Sequence, residues 1–218
     1  MHQTSRTMTI VQARNQSDIP GYFNLVMATG IVGIGVWSLG WNRVGNVLFW
    51  TNIFAYLLLI ILLTYKLTTS IHRVIDQLRN HRTAPAFFTI IAATSVIGIQ
   101  IDWMGWSAWL PAMWSIAVGL WVLISYAFFT MITISRNNPG IEKGLDGSWL
   151  VSVVATQSIA ILGSHFASFH QPLLVFTLIA FFMTGCLLYF ILITLIFYRL
   201  IFMPLKAAQL EAPYWINM

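Results

Sequence analysis

The chain has 218 residues, of which 58% are hydrophobic and only 8% are charged, and its mean hydropathy is +0.78. A soluble domain carries about 25% charged residues, so this composition excludes one and indicates a surface that mostly faces lipid. The formal net charge of +5 does not indicate a nucleic-acid partner, because the basic residues stand between long apolar runs. A single cysteine, Cys186, leaves no disulfide framework and no cysteine-based metal site.

Residues 1–19 are polar and mixed, without the apolar core of a signal peptide, and are predicted to be a cytoplasmic N-terminal segment. Residues 20–204 are predicted to form a transmembrane domain. Its apolar runs cover residues 22–40, 45–65, 86–101, 107–134, 148–163 and 172–198. None of these runs contains Asp, Glu, Lys or Arg, and such a charge costs about 2.5–3.5 kcal/mol at the centre of a span. The sequence therefore predicts an all-α integral membrane protein with six transmembrane helices.

The six runs alternate between short and long. The first, third and fifth are short and contain Gly, Ser, Thr and Gln, whereas the other three are long and rich in Leu, Ile, Phe and Val. Small and polar residues suit helices that are shielded by protein, and long apolar helices suit contact with lipid. We therefore expect three helical-hairpin repeats, with the short odd helices inside and the long even helices outside.

Charge between the runs predicts the orientation. Of the 11 basic residues, all except Arg43 fall on the side of the two termini. Because Lys and Arg accumulate in cytoplasmic loops, we predict a multi-pass protein of the plasma membrane, or of the inner membrane in a bacterium, with both termini cytoplasmic. The opposite side carries tryptophans suited to an interfacial aromatic belt. These are Trp37, Trp41, Trp50, Trp103, Trp106 and Trp109.

The three hairpins, at about residues 20–65, 85–134 and 147–198, begin with similar residues and recur roughly every 63 positions. Their opening sequences are PGYF from residue 20, PAFF from residue 85 and GSWL from residue 147. Proline suits a first helical turn, and aromatic side chains suit the headgroup layer. The similar sequence PYWI follows from residue 213. Residues 205–218 are therefore predicted to open a fourth hairpin that is truncated.

Alignment of the hairpins on these openings places small and polar residues at one depth in the three short helices. Threonine fills one column, the next column holds Gly, Ser and Gln, and glycine follows three positions later in two of the helices. We predict that this polar band lines a pore. Its members are Thr29, Gly30, Gly33, Thr94, Ser95, Gly98, Thr156 and Gln157. The alternative is that these residues only allow the helices to approach closely and to bond each other's backbones.

Groups for covalent chemistry are missing from the six runs. They contain no pair of carboxylates and none of the five histidines, so an intramembrane enzyme or proton relay is disfavoured. His165 and His170 share one short connection, where we expect contact with solvent rather than with a metal. We predict no catalytic residue, no metal and no cofactor.

The uncharged polar band favours anions. An uncharged lining replaces part of an anion's hydration without trapping the anion, and the basic loops attract anions. Hydroxyl oxygens also coordinate cations, however.

Three short motifs resemble the tellurite-resistance/dicarboxylate transporter family, which includes slow-type anion channels, sulfite efflux pumps and malic acid transport proteins. Residues 23–31, FNLVMATGI, are similar to its first-helix pattern F-x-x-V-M-G/A-T-G-I. Residues 85–88, PAFF, and 213–218, PYWINM, resemble the starts of its third and seventh helices. The resemblance implies ten helices in five hairpins around a quasi-fivefold axis, odd-numbered helices around a pore, and homotrimers. The chain matches the first three hairpins, so the family's aromatic gate in the ninth helix lies outside it.

We therefore predict a transmembrane transporter or channel for small anions, such as C4-dicarboxylates including malate, or sulfite, nitrate or tellurite. Its expected partners are the lipid bilayer, the anionic substrate and further copies of itself in a homotrimer. The alternative is a non-transporting truncated membrane protein or an assembly subunit of the same family.

Overall fold

The structure is a computed structural model, and it describes residues 19–134, 140, 144–168 and 170–203. The predictions for residues 1–18 and 204–218, including the start of a fourth hairpin, lie outside these residues. The described helices are α1 (Ile19–Ser38), α2 (Asn42–Thr69), α3 (Ile71–Arg79), α4 (Phe88–Trp103), α5 (Leu110–Ile134), α6 (Val151–Ser164) and α7 (Pro172–Phe202). Short 3₁₀ turns precede α4 at Ala84–Phe87, α5 at Ser107–Trp109 and α6 at Gly147–Leu150.

Six helical segments are long and apolar enough to cross a membrane, which confirms the predicted fold class. Counted with their 3₁₀ turns, the segments that contain α1, α4 and α6 have 20, 20 and 18 residues, and those that contain α2, α5 and α7 have 28, 28 and 31. Several helices extend beyond the charge-free runs. Arg199, expected just after the last run, lies in the final turns of α7, is buried, and donates to the Leu145 carbonyl. A cation is favourable there because carbonyl groups point out of a helix C-terminus.

Two of the short helices end in the same way. Gly40 after α1 and Gly105 after α4 have φ values of +83° and +81°, a left-handed conformation that glycine adopts without a Cβ penalty. In each case the glycine N–H bonds the carbonyl three residues back, and the next N–H bonds the carbonyl five residues back, as in Gly40 to Trp37 at 2.9 Å. This Schellman motif stops the helix and turns the chain.

The helices form two layers, with α1, α4 and α6 inside and α2, α5 and α7 outside. The helix α4 packs between α1 and α6, and each inner helix packs on the outer helix of its own hairpin. The outer helices α2 and α5 also contact the inner helix of the following hairpin. The inner segments that contain α1, α4 and α6 are 28%, 83% and 56% buried, and each outer segment is only 17% buried. These values confirm short helices inside and long helices outside.

The openings of the three hairpins meet at one end of the inner layer. The Thr89 hydroxyl donates to the Pro20 carbonyl at 2.6 Å and so joins the second opening to the first. Phe88 and Trp149 both pack edge-on against Phe128, with ring centroids 5.2 and 5.1 Å away. The aromatic residues predicted for the headgroup layer thus build a core that holds α4, α5 and α6 together.

Candidate functional site

The threonine column of the polar band lies where consecutive hairpins join. The Thr94 hydroxyl donates to the Ile90 carbonyl at 2.7 Å and lies 2.8 Å from the Tyr56 hydroxyl of α2, which therefore acts as the donor. One hairpin later, the Thr156 hydroxyl donates to the Ser152 carbonyl at 2.8 Å and accepts a hydrogen bond of 2.8 Å from Trp121 Nε1 of α5. Both threonine hydroxyls thus face the outer helix of the preceding hairpin.

Thr29 occupies the same column of the first hairpin and is half-buried. No hairpin precedes it within the described residues, so the outer helix that would match α2 and α5 is not among them. Its side chain is therefore less enclosed than that of Thr94 or Thr156, which are 0% and 1% exposed.

The glycines of the band stand at close helix contacts. A Cβ atom on Gly30 would lie 2.3 Å from Val96 Cγ1, and one on Gly98 would lie 2.6 Å from Leu162 Cδ1. A Cβ on Gly33 would lie 2.9 Å from Gln100 Nε2. These distances are far below normal van der Waals contact, so the glycines set how closely α1 approaches α4 and how closely α4 approaches α6.

A buried amide pair crosses the contact that Gly30 and Gly33 open. Asn52 Nδ2 of α2 donates to Gln100 Oε1 of α4 at 2.7 Å, and both residues are buried. Asn52 Oδ1 and Gln100 Nε2 have no further hydrogen-bond partner among the residues that the structure describes. A buried polar atom without a partner costs about 1–3 kcal/mol, so this pair is a polar centre inside an otherwise apolar layer.

Ser95 and Gln157 form the middle column of the band and face different neighbours. Ser95 is buried, and its Oγ has no partner in the described part of the chain. It shares a face of α4 with Gly98, which contacts α6. Gln157 is half-buried and packs against α7, where a Cβ atom on Gly185 would lie 2.6 Å from Gln157 Cγ.

The loop ends of the inner helices carry aromatic groups and a contact between a histidine and an aspartate. His165 Nδ1 lies 2.8 Å from Asp102 Oδ2 and links the end of α6 to the end of α4. The Trp37 and Trp103 rings stack at 6.1 Å. Trp37, a member of the predicted interfacial belt, is only 6% exposed because Gly45 leaves room for its ring. The other five predicted belt tryptophans are exposed.

The sequence matches a known family. The sequence model of the voltage-dependent anion channel family matches residues 19–218, which is nearly the whole chain. The protein belongs to that family. Comparison with curated proteins and with solved structures gives no match. Family membership confirms the recognised resemblance and places this voltage-dependent anion channel homologue among membrane proteins that conduct or transport anions.

Within this channel homologue, the eight predicted residues lie on three adjacent inner helices, but their side chains point in several directions. The sequence did not predict the hydrogen-bond partners of Thr94 and Thr156, which are Tyr56 and Trp121, or the pair formed by Asn52 and Gln100. A signal for two of them was present, because an amide within an apolar run must find a partner inside the protein. Among the described residues, no group of three His, Cys, Asp or Glu side chains could hold a metal ion.

Proposed function

We propose that this protein forms part of a membrane passage for small anions, with α1, α4 and α6 as its wall and the polar band at the middle of that wall. The observation that carries the proposal is the family match over residues 19–218. The composition of the inner helices supports it, because α1 and α6 contain no Asp, Glu, Lys or Arg and α4 contains only Asp102, close to its end. An anion in such a passage meets neither a repelling carboxylate nor a cation that would retain it.

Within this proposal, the band acts mainly through the shape of the wall. The glycines allow the inner helices to stand close together, and the bonds at Thr94 and Thr156 hold α4 and α6 against the outer layer. Thr29, which is only half-buried, offers a hydroxyl to a passing anion, whereas the Gln157 amide contacts Cys186 Sγ of α7 at 3.8 Å. The substrates we propose are C4-dicarboxylates such as malate, or sulfite, nitrate or tellurite.

The wider assembly is also part of the proposal. We propose a location in the plasma membrane with both termini cytoplasmic, supported by the distribution of basic residues. Within each chain, we propose hairpins near residues 20–65, 85–134 and 147–198. We also propose that three copies of the chain assemble as a homotrimer, supported by the family to which the chain belongs.

Anion flux into liposomes tests the proposal. Purified protein is reconstituted, and uptake of labelled malate, sulfite and nitrate is compared with uptake by protein-free liposomes. We expect uptake of at least one of these anions, and a fall of about five-fold or more in Thr29→Leu, because this change removes a polar group from the wall. The matched control Thr64→Leu changes an exposed threonine of the outer helix α2 and should keep wild-type flux.

Uptake equal to that of protein-free liposomes for every anion would refute the proposed function. Equal losses in Thr29→Leu and Thr64→Leu would refute the assignment of the wall while leaving the transport function intact.

A further inference from the structure

A groove opens toward the lipid between the outer helices α5 and α7. Its volume is about 670 Å³, within the range of roughly 300–1,000 Å³ typical of sites for small molecules. Trp121, Phe129 and Thr130 of α5 line one wall, Leu188 of α7 lines the other, and Ser152 and Thr156 of α6 form the floor. Near the middle of the membrane, Trp121 packs edge-on against Phe181 of α7 at 5.1 Å and narrows that end.

The hydroxyl groups of the floor do not make the groove a polar site. The Ser152 hydroxyl donates to the Trp149 carbonyl at 2.8 Å, and the Thr156 hydroxyl donates to the Ser152 carbonyl at 2.8 Å. Trp121 Nε1 is also occupied, since it donates to Thr156. The floor therefore offers no free proton to a ligand, and the lining of the groove as a whole is mostly apolar, so a polar ligand would lose hydration there. The groove therefore favours hydrocarbon.

The length of the groove fits one leaflet of a bilayer. From Trp121 to Ile134, α5 spans about 20 Å at the 1.5 Å rise per residue of an α-helix, and half of a typical hydrocarbon core is about 15 Å. The helices on both sides expose large apolar side chains beside the groove, including Leu123 on α5 and Leu187 on α7. The groove is thus continuous with the lipid-facing surface and runs parallel to the acyl chains.

We infer that this groove binds one acyl chain of a phospholipid from the leaflet at the C-terminal end of α5. In the proposed orientation this is the cytoplasmic leaflet. The end of the chain lies against Trp121 and therefore beside the bond that joins α5 to Thr156 of the inner layer. The site is separate from the anion passage and does not depend on which anion is transported.

Photo-crosslinking tests the inference. The protein is reconstituted with phosphatidylcholine that carries a diazirine at the end of one acyl chain, irradiated, digested and mapped by mass spectrometry. We expect the modified residues to cluster at the Trp121 end of the groove, at Trp121, Ser125 and Thr184. Thr130→Trp should lower this labelling about five-fold or more, because a large ring fills the groove. Leu123→Trp, which adds the same ring to the exposed face of α5, should leave the labelling unchanged.

Thr184→Phe fills the groove from α7 and provides a second variant that should lower the labelling in the same way. Labelling spread evenly over the exposed faces of α5 and α7, or unchanged in both filled variants, would overturn the inference. A second copy of the protein in the groove would also overturn the inference. Disulfide dimers of Thr184→Cys, formed by an oxidant in a Cys186→Ser background, would reveal it.

Discussion

At the level of single residues, the threonine column gives both described hairpin junctions the same chemistry. In each, an aromatic donor of an outer helix bonds the threonine hydroxyl of the next inner helix, from Tyr56 to Thr94 and from Trp121 to Thr156. Hydrogen bonds between membrane helices contribute about 0.6 kcal/mol on average. A bond of this size adds little to the total stability. Its main effect is to orient each inner helix about its own axis, with the threonine facing the outer helix.

We predict that Trp121 and Thr156 are energetically coupled. Trp121→Phe should lower the free energy of unfolding by about 1–3 kcal/mol, because it removes both the indole donor and part of a packed ring. In a Thr156→Val background, Trp121→Phe should lower the free energy of unfolding by roughly 0.6 kcal/mol less, and this difference is the coupling energy. Thermal or denaturant unfolding in detergent of the four proteins of this cycle measures the difference. A coupling energy of zero would show that the bond contributes nothing.

The sequence predicts how deep each threonine of the band lies in the membrane, but not the direction in which its side chain points. Alignment of the hairpins could place Thr29, Thr94 and Thr156 at one depth, because depth follows from position along a helix. It could not tell whether a hydroxyl points toward a pore or toward the outer layer, because that depends on how neighbouring helices are rotated. The pore-lining role of the band therefore stays a prediction. The Asn52–Gln100 pair was missed for the same reason, since its members belong to different hairpins.

At the level of helices, the contact between α1 and α4 depends on Gly30. Gly30 and Gly35 both lie in α1, but a Cβ atom on Gly30 would collide with Val96 and Asn52, whereas one on Gly35 would meet nothing within 4 Å. Val96 is β-branched and holds few rotamers in a helix, so it cannot move aside without shifting the backbone. The two glycines therefore have different roles.

We predict opposite outcomes for two alanine substitutions in α1. Gly30→Ala should destabilise the protein by about 1–3 kcal/mol, because an overpacked contact forces the helices apart. Gly35→Ala should be neutral or stabilising by up to about 1 kcal/mol, because alanine has the higher helix propensity. Melting temperatures measured in the same detergent check both variants. Equal destabilisation by both would show that α1 and α4 do not approach at Gly30.

The alternation of helix types could be predicted because lipid and protein select different residues along the whole length of a helix. The ends of the helices could not be predicted in this way, because an apolar run ends at the first charged residue whereas a helix need not. Lys66 lies inside α2, and its ammonium group donates to Gln77 of α3 at 3.1 Å. A long basic side chain places its charge away from its own Cα, so a helix continues past the residue that ends its apolar run.

At the level of the whole molecule, charge and apolar surface divide the protein along the membrane normal. The outer helices expose large apolar side chains along their length, such as Phe54, Leu123 and Phe190. The described connection between α2 and α4 carries several exposed basic residues, including Arg73, Arg79 and Arg82. By contrast, Arg43 is the one basic residue predicted for the opposite side. This asymmetry implies a single orientation, because each basic residue near a span opposes transfer across the membrane.

We predict that Arg43 and Arg79 lie on opposite sides of the membrane. In a Cys186→Ser background, Arg43→Cys should react with a membrane-impermeant maleimide added to intact cells. Arg79→Cys should react only after the membrane is permeabilised. Both positions are exposed at or near the ends of helices, so burial does not account for a lack of reaction. The reverse pattern would invert the proposed topology, and reaction of both cysteines in intact cells would contradict a single membrane crossing between positions 43 and 79. Since only the α2 segment separates the two positions, the experiment also tests whether Asn42–Thr69 crosses the membrane once, as its 28 residues and high hydropathy require.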